Sequence, residues 1–197
     1  MILAGTPLFG LPVAVLLALG WLSFITGGLH EDGLADTADG LGGGATRERA
    51  LEIMRDSRIG SYGALALLFT LGITAAGLMT MGSALAAPVL LLAQAASRLS
   101  VVIAMATSTY QRPEGAGTGL TTPLGPGALA FAALPCIAAL WLVPMDVWAG
   151  AALGLIAAHI GTRAVYQRRL GGYTGDCLGA LQQISQLGLI LGVLAWA

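Results

Sequence analysis

Long runs of apolar residues without charge dominate this sequence and limit the folds that the chain can adopt. Nine basic and ten acidic residues are spread over 197 positions, and the mean hydropathy is +0.82. A soluble domain of this size needs far more charged side chains to cover its surface. The runs approach the roughly 20 residues that a helix needs to cross the hydrocarbon of a bilayer. We therefore predict an all-α, polytopic integral membrane protein built as a helical bundle.

The apolar runs divide the chain into about six predicted transmembrane helices within a single domain, residues 1–197. Glycine and proline occur inside these runs, which membrane helices tolerate better than soluble helices do. A polar loop, residues 30–59, separates the first two spans. The six predicted spans cover residues 7–29, 60–81, 84–106, 128–143, 147–165 and 177–196.

The arginines test this number of spans independently of hydropathy. All nine basic residues are arginines. With six spans, the loops after the first, third and fifth spans lie on one side of the membrane. These loops and their edges hold Arg47, Arg49, Arg55, Arg58, Arg112, Arg163, Arg168 and Arg169. Because positive residues concentrate on the cytoplasmic side, we predict a multi-pass protein of the plasma or bacterial inner membrane, with loop 30–59 facing the cytoplasm.

The most polar stretch of the chain is GLHEDGLADTADGLGGG, residues 28–44, which holds four of the ten acidic residues. Asp32, Asp36 and Asp39 follow the spacing i, i+4, i+7, so on a helix their carboxylates share one face. Carboxylates this close repel one another unless cations lie between them. Oxygen ligands of this kind suit Mg²⁺ or Mn²⁺. The alternative is a solvated acidic loop that binds no metal.

Glycines crowd the same stretch, and they suggest a role in binding phosphate. A residue without a side chain lets the backbone approach a bulky group closely. We expect these glycines to face a phosphate-bearing substrate: Gly33, Gly40, Gly42, Gly43 and Gly44.

Other polar residues each allow two interpretations. An arginine inside a span, such as Arg98, is costly and usually faces a polar cavity or a counter-ion. Arg55 and Arg58 could bind phosphate, or could belong to a surface helix held by its own ion pairs. His159 is typical of a hydrogen-bonded core residue. Four polar residues in the last span suggest hydrogen bonds between helices, or the lining of a pocket: Gln182, Gln183, Ser185 and Gln186.

Acidic residues, arginines and glycine-rich loops on one membrane face are typical of phosphoryl transfer. Metal ions held by aspartates neutralise phosphate oxygens, and arginines clamp the rest of a diphosphate. A carboxylate not used by the metal can take a proton from the attacking hydroxyl. The sequence has no Walker motif, dinucleotide fingerprint or zinc spacing. The residues alone thus indicate a membrane transferase that acts on a diphosphate-activated substrate.

Three blocks of this sequence resemble the cobalamin synthase family, also called adenosylcobinamide-GDP ribazoletransferases. The blocks are GGLHEDGLADTADG, LEIMRDSRIGSYG and LGGYTGDCLGA, in this order, and the likeness covers nearly the whole chain. The resemblance implies that a hydroxyl of α-ribazole or its 5′-phosphate attacks adenosylcobinamide-GDP. GMP is released with the help of Mg²⁺, for which Mn²⁺ can substitute, and adenosylcobalamin or its 5′-phosphate is formed.

The resemblance also implies roles for individual residues. We expect Asp32, Asp36, Asp39 and Asp176 to bind metal. Asp39 is alternatively the general base, and His30 is a further catalytic candidate. Glu31 lies where relatives can carry an apolar residue, and we do not expect it to be catalytic. The expected substrate contacts are Arg55, Ser57, Arg58, Arg98 and Gly175.

Two other functions remain open on the sequence. CDP-alcohol phosphotransferases also use clustered aspartates in a membrane helix, but here DGLAD carries aspartate where their DGxxAR pattern has arginine. A transporter would place acidic residues at several depths of its spans, whereas these gather at one face. We expect a lipid bilayer but no nucleic acid as partner, and the sequence leaves homo-oligomerisation open.

Members of the resembled family usually begin with a longer N-terminal region. This chain starts almost directly in its first span. We expect either a naturally short form or a true start further upstream.

Overall fold

The fold is a bundle of helices, and the computed structural model describes residues 1–111 and 124–197. Within these residues no strand is present. One isolated β-bridge pairs the backbones of Tyr110 and Tyr173. A 3-10 turn, Met145–Val147, precedes α8. The helices are α1 (Ile2–Phe9), α2 (Leu11–Ile25), α3 (Leu29–Gly43), α4 (Arg47–Ile53), α5 (Ser61–Thr80), α6 (Gly82–Thr107), α7 (Pro126–Leu140), α8 (Trp148–Leu170) and α9 (Gly175–Trp196).

Among residues 1–111 and 124–197, four helical segments are long and apolar enough to cross a membrane, and the number becomes five if a bent pair is counted as one span. The four are α5, α6, α8 with its preceding 3-10 turn, and α9. The bent pair is α2 with α3, whose axes meet at 86°. The predicted all-α membrane bundle is thus confirmed. The described residues contain fewer helices of membrane-spanning length than the six expected. The predicted span 128–143 corresponds to α7, an apolar helix of only 15 residues.

The first predicted span and the loop after it differ most from expectation. Gly10 has φ 78° and separates α1 from α2 within residues 7–29. Gly27 and Gly28 have φ of 64° and 70° and turn the chain into α3. Side chains rarely adopt such angles, so glycine allows these turns. The expected loop 30–59 therefore contains two helices, α3 with the aspartates and α4 after it.

Helix α9 forms the centre of the bundle, in contact with α3, α5, α6 and α8. In the most apolar stretch of α9, 67% of the residues are buried, against 17% in that of α8. Large apolar side chains on the outer helices are exposed, among them Leu68 and Phe69 of α5 and Leu153 and Ile160 of α8. Such a continuous apolar exterior suits contact with lipid.

Helices α8 and α9 cross closely because glycines meet at their interface. Gly150 and Gly154 on α8 face Gly192 and Gly188 on α9, and a Cβ at any of the four would collide with backbone of the other helix. This is the small-residue spacing that lets membrane helices approach each other.

Replacing Gly154 with leucine should therefore separate α8 from α9. Overpacking of this kind costs about 3 kcal/mol, which lowers Tm by about 6–12 °C in a chain of this size. Thermal unfolding in detergent measures the change. Gly161 lies on the same helix with nothing within 4 Å of its Cβ position, so Gly161→Leu is the matched control. Equal stability of the two variants would contradict this helix contact.

Candidate active site

The acidic helix α3 lies across the beginning of α9, and Gly33 marks the point of contact. A Cβ at Gly33 would lie 2.8 Å from the Asp176 carbonyl oxygen and 3.1 Å from the Gly179 Cα. A Cβ at Gly179 would lie 3.1 Å from the His30 carbonyl oxygen. The two backbones therefore touch. Asp32 and Asp36 lie one residue before and three residues after Gly33 on α3, and Asp176 is the α9 residue whose backbone Gly33 touches.

The three aspartates at this crossing differ in exposure. Asp32 is exposed, whereas Asp36 and Asp176 are half-buried. Over residues 1–111 and 124–197, no three His, Cys, Asp or Glu side chains converge as the ligands of one ion do. Three of the four expected metal ligands thus lie on the two helices that cross at Gly33, and within the described residues they do not converge on a common point.

Asp39, the fourth expected ligand, has a different environment. It is 8% exposed, and its carboxylate accepts hydrogen bonds from the backbone N–H of Gly60 at 2.7 Å and of Gly63 at 2.9 Å. These groups belong to the start of α5, where helix N–H groups lack partners within the helix and the dipole favours negative charge. Asp39 therefore caps α5 and fixes it to α3.

Asp39→Ala should destabilise the protein by about 2 kcal/mol, because it leaves two buried N–H groups without an acceptor at a helix start. The corresponding fall in Tm is about 4–8 °C, measured by thermal unfolding without metal or substrate. Asp146 is an exposed aspartate in the connection before α8, and Asp146→Asn is the control that should leave Tm unchanged. An Asp39→Ala variant as stable as wild type would show that this cap is unimportant.

The segment between α4 and α5 is an exposed turn that carries two of the expected substrate arginines. Asp56 accepts hydrogen bonds from the Arg58 backbone N–H at 3.1 Å and from its Nη2 at 2.6 Å. These bonds hold the pKa of the Asp56 carboxyl down at about 2. Arg55, Ser57 and Arg58 are exposed. Arg58, the last residue of this turn, lies two positions before Gly60, whose N–H binds Asp39. The exposed arginines of the turn are therefore close in the chain to the point where Asp39 caps α5.

Arginines from distant parts of the chain hold the loops together at this end of the bundle. Arg47 Nε donates to the Leu170 carbonyl oxygen at 2.9 Å. Arg169 donates to the Gly44 carbonyl oxygen, and Arg163 Nη2 donates to that of Thr107 at 2.8 Å. The ends of α3, α6 and α8 therefore meet here. Arg112 and the Gly/Thr-rich stretch after it fall outside the described residues.

The remaining expected site residues lie on three helices, α3, α6 and α9. His30 is half-buried in the first turn of α3. Arg98 is half-buried on α6 and donates to the backbone and side-chain oxygens of Gln94. Gln94 in turn donates its Nε2 to Gln186 of α9 at 2.7 Å, so Arg98 is linked to α9 through Gln94. Gly175 is the exposed first residue of α9.

The sequence comparisons identify the family. The sequence model of the family described as cobalamin-5-phosphate synthase matches residues 1–194. The chain belongs to this family. A protein of Azorhizobium caulinodans is 42% identical over 100% of this chain and 78% of its own length. One of Bradyrhizobium diazoefficiens is 44% identical, covering 91% of this chain and 69% of its own. Both are named adenosylcobinamide-GDP ribazoletransferase. No solved structure matches the chain.

Membership of the cobalamin-5-phosphate synthase family agrees with the resemblance carried by the three sequence blocks. A Leptothrix cholodnii protein of the same name is 43% identical over 94% of this chain. The CDP-alcohol phosphotransferase alternative is not favoured by these relatives. The blocks themselves meet in the structure: the first forms α3, the second includes the exposed turn and the start of α5, and the third begins α9.

The glycines of the acidic stretch have a different function from the one expected of them. The expectation that they face a phosphate is wrong for Gly33, Gly40 and Gly42, because protein atoms fill the space beside them. Cβ atoms at Gly40 and Gly42 would lie 2.9 Å from the Ala50 carbonyl oxygen and 2.7 Å from the Tyr62 ring. The same holds for Gly44, while Gly43 has only an ordinary contact with Ile53. These glycines pack α3 against its neighbours.

The polar residues of α9 form hydrogen bonds between helices. Gln182 donates to Ser97 at 3.0 Å, Gln186 accepts from Gln94 at 2.7 Å, and Ser185 lies 3.1 Å from Ser100. Ser100 Oγ is also 2.6 Å from His159 Nδ1, so His159 is hydrogen-bonded as expected, although it is half-buried and lies outside the core. Of the two interpretations of the α9 residues, the structure favours contacts between helices.

Sequence reasoning missed the residues that assemble the site from distant segments. Arg47 and Arg169 were noted only for their charge, yet each binds a backbone carbonyl across more than 100 positions of the chain. Gly179 was not noted. A repeated small-residue spacing on α9, Gly175, Gly179 and Ala180, is the one signal that could have indicated a close crossing.

Proposed function

We propose that this chain is an adenosylcobinamide-GDP ribazoletransferase. It would join α-ribazole or its 5′-phosphate to adenosylcobinamide-GDP and release GMP. The observation that carries the proposal is the crossing at Gly33 of α3, which carries Asp32 and Asp36, and α9, which carries Asp176. This crossing lies within two of the sequence blocks that resemble the family, and the relatives bear this activity in their names.

The reaction is a displacement at phosphorus. The hydroxyl oxygen of the acceptor forms a bond to the cobinamide-side phosphorus, and the bond from this phosphorus to the oxygen of GMP breaks. The hydroxyl proton goes to a base of the protein. His30 suits this role better than Asp39, because both oxygens of Asp39 already accept backbone N–H groups. We therefore assign His30 as the base and Asp39 as the residue that anchors α5 to α3.

The donor set at the crossing fits Mg²⁺, with Mn²⁺ as a substitute, because both ions prefer carboxylate oxygens. Asp32, Asp36 and Asp176 would hold the ion, which would neutralise negative charge on the diphosphate. Asp39 fits less well because its hydrogen bonds to α5 would have to break. Mg²⁺ is commonly held by one or two carboxylates together with substrate phosphates, which suits carboxylates that neighbour one another without converging.

Arg55 and Arg58 would bind the remaining phosphate oxygens. Both are exposed on the turn after α4, and guanidinium groups match phosphate oxygens in pairs. Arg58 would exchange the Asp56 carboxylate for phosphate when substrate binds. Ser57 lies on the same turn as these arginines, and Gly175 is the exposed first residue of α9. Both would contact the substrate.

The active site would face the cytoplasm from the bacterial inner membrane. The arginines that join the ends of α3, α6 and α8 lie at the same end of the bundle as the aspartates. Concentration of positive residues on one side is the usual mark of the cytoplasmic side.

The test is a product assay with purified protein in liposomes. It receives Mg²⁺ and adenosylcobinamide-GDP with α-ribazole or with α-ribazole 5′-phosphate, and mass spectrometry follows GMP and the corrinoid product. Formation of both products in equal amounts supports the proposal, and the faster acceptor identifies the substrate. Turnover of CDP-activated lipids in place of the corrinoid would overturn it.

A further inference from the structure

Glu31, set aside by the sequence analysis, is the centre of a buried polar network at the bend between α2 and α3. Its Oε1 accepts hydrogen bonds from Ser23 Oγ of α2 at 2.6 Å and from Gln183 Nε2 of α9 at 3.0 Å. One carboxylate therefore joins three helices. The bond to Ser23 spans the 86° bend that Gly27 and Gly28 allow.

The same carboxylate has unused acceptor capacity inside the protein. Glu31 Oε2 is buried and has no hydrogen-bond partner among the residues that the structure describes, and the same is true of Gln183 Oε1. Gln183 is only 4% exposed. Burying a charged oxygen without a donor is costly unless an opposite charge lies nearby.

Arg98 supplies that opposite charge. In the described part of the chain its hydrogen bonds go to Gln94, and the two ion pairs found there are Arg49–Glu52 and Arg58–Asp56. Arg98 and Glu31 are both linked to α9, Arg98 through Gln94 to Gln186 and Glu31 to Gln183. An arginine inside a membrane helix needs such a counter-charge. Glu31 and Arg98 form no ion pair within the described residues, so their opposite charges balance at a distance.

We propose that Glu31 is a positioning residue: through Ser23 and Gln183 it fixes the first turn of α3, and its charge balances Arg98. Because Glu31 directly precedes Asp32 and lies five residues before Asp36, the bonds that fix Glu31 also fix the rotation of α3 that positions both aspartates. Loss of the Glu31 bonds would let α3 turn about its axis. Asp32 and Asp36 would then move relative to Asp176 on α9.

An exchange of side chains between α3 and α9 tests this role. Glu31→Gln removes the charge, and Gln183→Glu alone places two carboxylates side by side. The double variant Glu31→Gln/Gln183→Glu keeps one carboxylate, one amide and a counter-charge for Arg98. Glu48, an exposed glutamate on α4, provides the matched control Glu48→Gln. Thermal unfolding is measured in EDTA without substrate, and kcat and KM for GMP release are measured separately.

The expected result is a rescue by the double variant. Each single variant lowers Tm by about 5 °C or more, and kcat falls about tenfold or more because the aspartates are misplaced. The double variant recovers most of the Tm and of kcat, while KM changes little throughout and Glu48→Gln resembles wild type.

Two outcomes would overturn the proposal. One is a Glu31→Gln variant with wild-type Tm and kcat, since neither the charge nor its bonds would then matter. The other is a double variant no better than the worse single variant, since the two side chains would then act independently. The kinetic part rests on the proposed function, whereas the unfolding part does not. A Tm rescue in a protein that releases no GMP would support the network and count against the transferase.

Discussion

Asp36→Asn is expected to lower the rate of GMP release by about 10²–10³-fold, the usual effect of removing one group that stabilises transition-state charge. Asp36 lies on α3, three residues after the glycine that contacts the Asp176 backbone. Asparagine keeps the shape of the side chain but removes the negative charge that would hold a metal ion. Stopped assays with Mg²⁺ and both substrates measure the rate, and thermal unfolding shows whether the fold is kept.

Asp146→Asn is the control for this substitution, because it removes the same charge at an exposed position far along the chain from the aspartates of α3. Its GMP release should equal that of wild type. An Asp36→Asn variant that keeps more than about a tenth of wild-type activity would fall outside the expected effect. Asp36 would then have no place among the metal-binding residues.

Gly33→Ala is expected to have the second large effect, because the added methyl group has no room. Its Cβ would lie 2.8 Å from the Asp176 carbonyl oxygen and 3.1 Å from the Asp176 Cα. These are backbone atoms, which cannot move aside as a flexible side chain can. We expect a loss of about 2 kcal/mol in stability. A shift of α3 by about 1 Å would cost roughly 10²-fold in kcat.

Gly43→Ala on the same helix is the control. It separates the effect of the steric clash at Gly33 from the effect of alanine on helix propensity. Its Cβ would meet only Ile53 Cδ1 at 3.5 Å, an ordinary contact, and alanine favours helix over glycine. The Gly43→Ala variant should be as active and at least as stable as wild type. If Gly33→Ala behaved in the same way, the close approach of α3 to α9 would not be required for the site.

The class of fold follows from the sequence because membrane helices are recognised by local composition. Runs such as those of α5 and α6 contain enough apolar residues that no soluble fold could bury them. The bend between α2 and α3 was not predicted, because composition placed a span up to residue 29 and a polar loop after it. The positive φ angles of Gly27 and Gly28 allow the bend, and hydropathy carries no information on backbone angles.

The site residues proposed from the sequence stay predictions. Asp32, Asp36 and Asp176 were singled out by acidity and by family resemblance, and the structure shows that the two helices that carry them cross at Gly33. The functions of Asp39 and Glu31 could not be deduced from acidity, because their hydrogen-bond partners are distant in sequence. Asp39 binds residues 21 and 24 positions away, and Glu31 binds one 152 positions away.

The measurement that most directly tests the central claim, a metal site at the α3–α9 crossing, is Mn²⁺ binding by electron paramagnetic resonance. Purified protein is titrated with Mn²⁺ in the presence of adenosylcobinamide-GDP, with the substrate alone as the blank. We predict protein-dependent binding that Mg²⁺ displaces and that Asp36→Asn and Gly33→Ala each weaken by about tenfold or more. Equal Mn²⁺ binding by wild type and both variants, or none beyond the blank, would contradict the account.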